Sequence, residues 1–306
     1  MKIVILGNTR LGYSWFSLSF TQGFQLLGHQ VHHIDYRSTT MDAIRKRLYG
    51  IKADAMFVHL TFHPGINPLD KIMQLYSDVR RDCGTKIIHV LADARHEPRY
   101  SGDISGSIDM ALLSQTENLG KFQNYWKVPT FFCPYSSLTQ DKMADVVPDL
   151  MFENLVFTGT PNAHPDRTSF LRRLQKIMKV EVFRTQSPQD LRTRTAELSV
   201  SAKCILGICT GYDIQHFIDV RPFQYLGAGA FMLIRKFKGM DDIIPEDVYI
   251  PFYGYSDADV EFVKEEFEYW KDKDTMPIRM NAFDYMQEHH SSKVRMREVL
   301  GYIKEI

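Results

Sequence analysis

Short apolar runs alternate along the chain with longer stretches whose apolar residues recur every three or four positions. Ile3–Leu6 is a short strand that ends in Gly7-Asn8-Thr9. Trp15, Phe16, Leu18, Phe20 and Phe24 share the spacing of a helix, which Gly28 ends. Gln30–Asp35 and Ala55–Leu60 read as the next strands. Leu69–Arg81 predicts a helix, and Lys86–Leu91 a fourth strand that stops at Ala92-Asp93. Met110–Leu113 and Thr130–Cys133 close the series. Apolar strands separated by helical stretches predict a parallel sheet covered on both faces.

The rhythm then restarts. Asn154–Gly159 is a strand ending in glycine, and Arg167–Lys179 a helix with Phe170, Leu171, Leu174 and Ile177 on one stripe. Strands follow at Glu181–Phe183, Lys203–Ile208 and Ala230–Ile234, with a helix over Arg221–Gly229 before the last of them. Helices are expected at Asp257–Trp270, Met280–Gln287 and Ser291–Ile303. Pro148 marks a hinge within Lys142–Phe152. The expected organisation is α/β, with Rossmann-like domains at 1–149 and 150–288 and a closing segment, 289–306, that crosses back to the first. Open α/β sheets bind ligands at the carboxyl ends of their strands, so the candidate site is a cleft lined by those ends.

Composition narrows the picture. Lys+Arg and Asp+Glu both number 37, so the net charge is zero, which argues mildly against broad binding to nucleic acid or lipid surfaces. Arg10, Arg37, Arg45, Lys46, Arg47, Arg95 and Arg99 can still build a local basic mouth. No two of Cys83, Cys133, Cys204 and Cys209 have metal-binding C-x-x-C spacing. They read as reduced core thiols, as in a cytoplasmic protein. No apolar run approaches the ~20 residues of a membrane span, and no leader peptide is expected.

Several residues fall at strand ends where chemistry is expected. Asn8 and Arg10 lie in the loop after the first strand, though the loop lacks the spacing of a dinucleotide fingerprint. Asp93 can accept a proton from a hydroxyl, or serve only as a cap. His59 and His63 follow the third strand, and Arg95 adds positive potential nearby. The most informative stretch runs from Asp219 through Arg221, Pro222, Phe223, Gln224 and Gly229 to Leu233. Pro222 suits a first helical turn, and a guanidinium there suits phosphate oxygens.

The run R-P-F-Q-Y-L-G-A-G-A-F-M-L from Arg221 resembles the R-x-F-E-x-x-x-x-G-x-F-L-L segment of spore-maturation CgeB-like glycosyltransferases, members of the GT-B class. Phe157-Thr158-Gly159 with Arg167, Phe132–Ser136, and His290 with Arg295 are similar to further segments of that family, so the likeness extends in order over most of 85–306. The resemblance implies a GT-B fold with parallel sheets facing across a cleft. It implies an N-terminal acceptor domain and a C-terminal domain for a nucleotide-sugar donor. Donor contacts are then expected from Gly159, Thr160, Arg167, Thr210, Gly211, His216, Arg221, Pro222, Phe223 and Gln224. Acceptor contacts are expected from Asn8, Arg10, His59, His63 and Arg95. Asp93 and Arg221 are the expected catalytic residues.

One departure stands out. Many GT-B enzymes carry E-x7-E, whose second glutamate binds the donor ribose; here the pattern is H-x7-Q, with His216 and Gln224. The expected function is metal-independent transfer of a hexosyl or pentosyl group from a nucleotide sugar, UDP-linked, to a hydroxyl. No cofactor beyond that co-substrate is expected, and no metal. The acceptor is open, with a hydroxymethylated DNA base among the alternatives. Binding of a nucleotide sugar without catalysis, and epimerisation of one, are the others. The chain is expected to be a monomer or homodimer.

Overall fold

The computed structural model describes residues 1–7, 14–36, 38–59, 69–91, 98, 103–144, 151–184, 188–208, 213–217 and 219–306. The chain forms two compact units, Met1–Pro134 with Arg295–Ile306, and Tyr135–Val294. The hinge expected around Pro148 falls largely on residues 145–150, which lie outside the described residues. The contact boundary comes earlier because residues after Pro134 bond within the second unit: the Ser137 N–H donates to His290 O at 2.9 Å, and the Ser292 N–H to Ser137 O at 2.8 Å.

In the first unit the described strands are β1 (Lys2–Gly7), β2 (Gln30–Asp35), β3 (Ala55–His59), β4 (Lys86–Leu91), β5 (Met110–Leu113) and β6 (Thr130–Phe132). They form one sheet in the order β2-β1-β3-β4-β5-β6, with every pair parallel. Its helices are α1 (Ser14–Leu26), α2 (Met41–Ile51), α3 (Leu69–Cys83), α4 (Leu119–Trp126) and α10 (Ser292–Glu305), the last of which begins in the second unit.

The two-residue period of the strands decides which helix covers which face. Val4, Leu6, Met56, Val58, Ala111 and Leu113 join Ile44 and Leu48 of α2, Ile72 and Val79 of α3, and Phe122 and Trp126 of α4. Their neighbours Ile3, Ile5, Ala55, Phe57, Met110 and Leu112 join Phe16, Phe20 and Phe24 of α1 and Met296, Val299 and Ile303 of α10. Burial on both faces explains why these strands are continuously apolar.

In the second unit the described strands are β7 (Leu155–Thr158), β8 (Val180–Phe183), β9 (Ile205–Gly207), β10 (Met232–Arg235) and β11 (Ile250–Phe252). They pair in parallel in the order β11-β10-β9-β7-β8. The helices are α5 (Pro165–Ile177), α6 (Pro188–Ser201), α7 (Val220–Leu226), α8 (Asp257–Trp270) and α9 (Met276–His290). Leu155, Phe157, Leu206, Phe231 and Leu233 pack on one side against Phe170 and Leu174 of α5 and Val260, Val263 and Phe267 of α8.

In each sheet the first strand has its successor on one side and the third strand on the other. The switch points therefore fall between β1 and β3, and between β7 and β9. That is where the carboxyl ends of open α/β sheets leave a crevice.

Candidate functional site

The second unit's switch point is built around the end of β7. Gly159 turns the chain there with φ +125°, a conformation that side-chain-bearing residues rarely adopt. A Cβ at Gly159 would also collide with Arg221 Nη2. The glycine thus opens the place where the guanidinium lies. Arg221, in the first turn of α7, reaches back to β7: its Nε–H donates to Thr158 O at 2.8 Å. Its Nη1 is hydrogen-bonded and ion-paired to Asp219. Asp219 occupies the N-cap position of α7 but makes no capping bond, because its carboxylate is turned to the arginine.

A second arginine approaches the same strand. Arg167 lies in the first turn of α5, where a cation opposes the helix dipole. It is nevertheless buried. Its Nη1 points at Thr160 O, 3.4 Å away. The Arg167 guanidinium is 6.0 Å from the centre of the Phe157 ring and that of Arg221 5.9 Å. Both distances are at the outer limit of a cation–π contact. Gly159, Thr160, Arg167 and Arg221 are thereby brought together, with Asp219 as a local counter-charge.

The other candidates on this segment have different surroundings. Gln224 is buried, and its Nε2 donates to Thr195 of α6. Pro222 and Phe223 are interior residues of α7, and Phe223 packs edge-on against His290 with ring centres 5.4 Å apart. Next along α7, burial raises the pKa of Tyr225, while a Thr158 hydrogen bond and the charge of Arg221 oppose that rise. His216 adopts a left-handed conformation (φ 58°), and its Nε2 lies 2.8 Å from an Asp242 carboxylate oxygen. Thr210 and Gly211 lie outside the described residues.

In the first unit His59 ends β3 directly beside Gly7 of β1, at that sheet's switch point. Its ring stacks on Phe16 with centres 4.9 Å apart, and burial lowers its pKa to about 4, so the imidazole is neutral at physiological pH. The remaining expected residues of this unit, Asn8, Arg10, His63, Asp93 and Arg95, lie outside the described residues. No cluster of metal-ligating side chains occurs among the described residues. No helix among them is long and apolar enough to cross a membrane.

Sequence reasoning assigned no role to Asp219, Thr195 or Asp242. Asp219 carried a signal, since a carboxylate two residues before an arginine at a helix start can pair with it. Thr195 and Asp242 lie 29 and 26 positions from their partners, and nothing local announces them.

No family model matches the chain, and no curated protein matches it by sequence. Solved structures match its fold. Sucrose-phosphate synthase from Thermosynechococcus elongatus superposes with a TM-score of 0.66 at 8% identity, covering 99% of this chain and 98% of its own. HepE from Anabaena, solved with UDP and glucose, gives 0.62 at 8% identity and covers 100% of both chains. T4 phage BGT, solved with its UDP-glucose substrate, gives 0.55 at 12% identity over 100% of this chain and 99% of its own. At such identities the likeness is one of fold. The chain has the α/β fold of GT-B glycosyltransferases, with two parallel sheets.

Proposed function

We propose that the chain is a glycosyltransferase that takes its sugar from a UDP-linked donor held by the second unit. The observation that carries this reading is Arg221. Its guanidinium lies over Gly159 at the switch point of that sheet, in a fold whose solved examples hold UDP-glucose and UDP. A planar, permanently charged guanidinium suits diphosphate oxygens. As the glycosidic bond breaks, negative charge grows on the departing diphosphate, and a fixed cation stabilises that charge more than the neutral sugar. Arg167 adds a second positive charge near the same strand end. Two arginines in this place supply the stabilisation that a divalent cation supplies elsewhere, so transfer is metal-independent in this reading.

A hydroxyl acceptor meets the first unit, with Asp93 as its base and Asn8, Arg10, His59, His63 and Arg95 as its contacts. The narrower likeness to CgeB-like enzymes rests on the Arg221–Leu233 segment. A second reading, donor binding without transfer, is favoured by the site of Gln224: no carboxylate stands there, and its amide is bonded to Thr195.

The test has two arms. Calorimetric titration with UDP compares the wild-type chain with Arg221→Ala, and weaker binding is expected, with a loss of about 2–4 kcal/mol in kcat/KM for transfer. Unchanged affinity in the folded variant removes Arg221 from the site. NMR time courses with a panel of UDP-sugars in EDTA then separate transfer or hydrolysis from binding alone. A strict need for manganese or magnesium contradicts metal independence.

A further inference from the structure

Helix α7 has seven residues, with Arg221 on its first turn and Gly227 just past its end. In so short a helix, whatever fixes the far end also fixes the arginine. Gln287 of α9 bonds to that far end. Its Nε2 donates to Gly227 O at 2.9 Å and to Leu138 O at 3.0 Å, and its Oε1 accepts from the Gln140 N–H at 2.9 Å. Both amide hydrogens and the amide oxygen are thereby engaged with backbone groups of two separate segments.

Those segments are themselves fixed. A Cβ on Gly227 would collide with the Ser137 side chain, so the end of α7 and the 135–140 segment are in close approach. Residues 135–140 are laced to the start of α10: the Lys293 N–H donates to Thr139 Oγ1 at 3.0 Å, and Thr139 Oγ1 and Ser292 Oγ are 2.9 Å apart. Phe223 leans on His290, at the end of the helix that carries Gln287.

We propose that Gln287 is a positioning residue that sets the pose of α7 and so places the Arg221 guanidinium over Gly159. This rests on the reading that Arg221 meets the donor diphosphate. The residue type matters. Methionine fills the same space and bonds to none of the three groups, while glutamate would turn carboxylate oxygens toward two carbonyls.

The experiment is a double-mutant cycle read by UDP titration of the full chain: wild type, Gln287→Met, Arg221→Ala and the double variant. Gln287→Met is expected to weaken UDP binding on the order of tenfold and to add nothing further in the Arg221→Ala background. Two outcomes overturn the positioning role while leaving Arg221 in place: a lower melting temperature with unchanged UDP affinity, or a loss that adds in full to that of Arg221→Ala. Absence of UDP binding by the wild type overturns the donor reading and this inference together. If Gln287→Met does not fold, Gln287→Asn, which keeps the amide on a shorter arm, is read by the same criteria.

Discussion

Gly159 shows how one residue joins backbone geometry to chemistry. Its φ of +125° and its closeness to Arg221 both exclude a side chain. Gly159→Ala is expected to destabilise the fold by about 1–3 kcal/mol. It should also weaken UDP binding, because the guanidinium must move; chemical denaturation and titration read the two effects separately. Asp219 is the harder case. Its carboxylate orients Arg221, but it also competes with any anion for the same charge. Asp219→Asn keeps an oxygen that can accept from Nη1 and removes the competing charge, so UDP should bind about three- to tenfold more tightly. Weaker binding would show that orientation outweighs competition. Arg221 was legible in the sequence because arginine, proline and paired glycines mark a helix between two strands. The setting of Gln224 was not: its burial against Thr195 is a tertiary fact between α6 and α7.

Among elements, those with a clean period were the readable ones. The strands of the first sheet and helix α8 lie where apolar runs and an amphipathic stripe place them. Helices α2, α4 and α6 and strand β11 had no expectation. β11 is Ile250-Pro251-Phe252, too short for a period and containing a proline, which a sheet edge tolerates. Helix α6 is held partly from outside. Buried Arg279 of α9 donates to Ser199 O at 3.0 Å and to Ala202 O at 2.6 Å, satisfying carbonyls at the end of α6. Arg279→Met should cost about 2–4 kcal/mol of stability in urea titration, with lysine a poor substitute for the fork. Strands β3 and β4 make a different prediction. His59 and His89 are held by burial at pKa values of about 4 and about 3, below the ordinary 6.5. Between those values and 6.5 the unfolded chain binds more protons than the folded one. Stability therefore rises with pH through that window and is lost as pH falls from about 6.5 toward 4. The loss should reach a few kcal/mol, on the order of one per pKa unit per histidine. His89→Gln should flatten the slope of melting temperature against pH; an unchanged slope would mean that the imidazole is not held neutral.

For the whole molecule, the alternation of strands and helices and its restart were enough to read the α/β class and two parallel sheets. The two chain crossings, at Pro134/Tyr135 and Val294/Arg295, were less legible, because hydrogen bonds between residues more than 150 positions apart define the unit there. Each unit has its own switch point, and the local chemistry differs between them. At the first, the described group is a neutral imidazole beside Gly7; at the second, it is a pair of arginines beside Gly159. A nucleoside diphosphate is an anion, and the proposed reading puts it beside the second unit's arginines. Hydrogen exchange with and without saturating UDP tests that assignment over the whole chain. Ligand binding slows exchange where local opening exposes the amides it covers. Protection should concentrate in 157–160 and 219–227 and be weak at the ends of β1 and β3. The same pattern should persist in EDTA. In Arg221→Ala it should fade at equal UDP concentration, in proportion to the lost affinity. Protection centred on Gly7 and His59 would place the nucleotide on the first unit and reverse the roles of donor and acceptor sides.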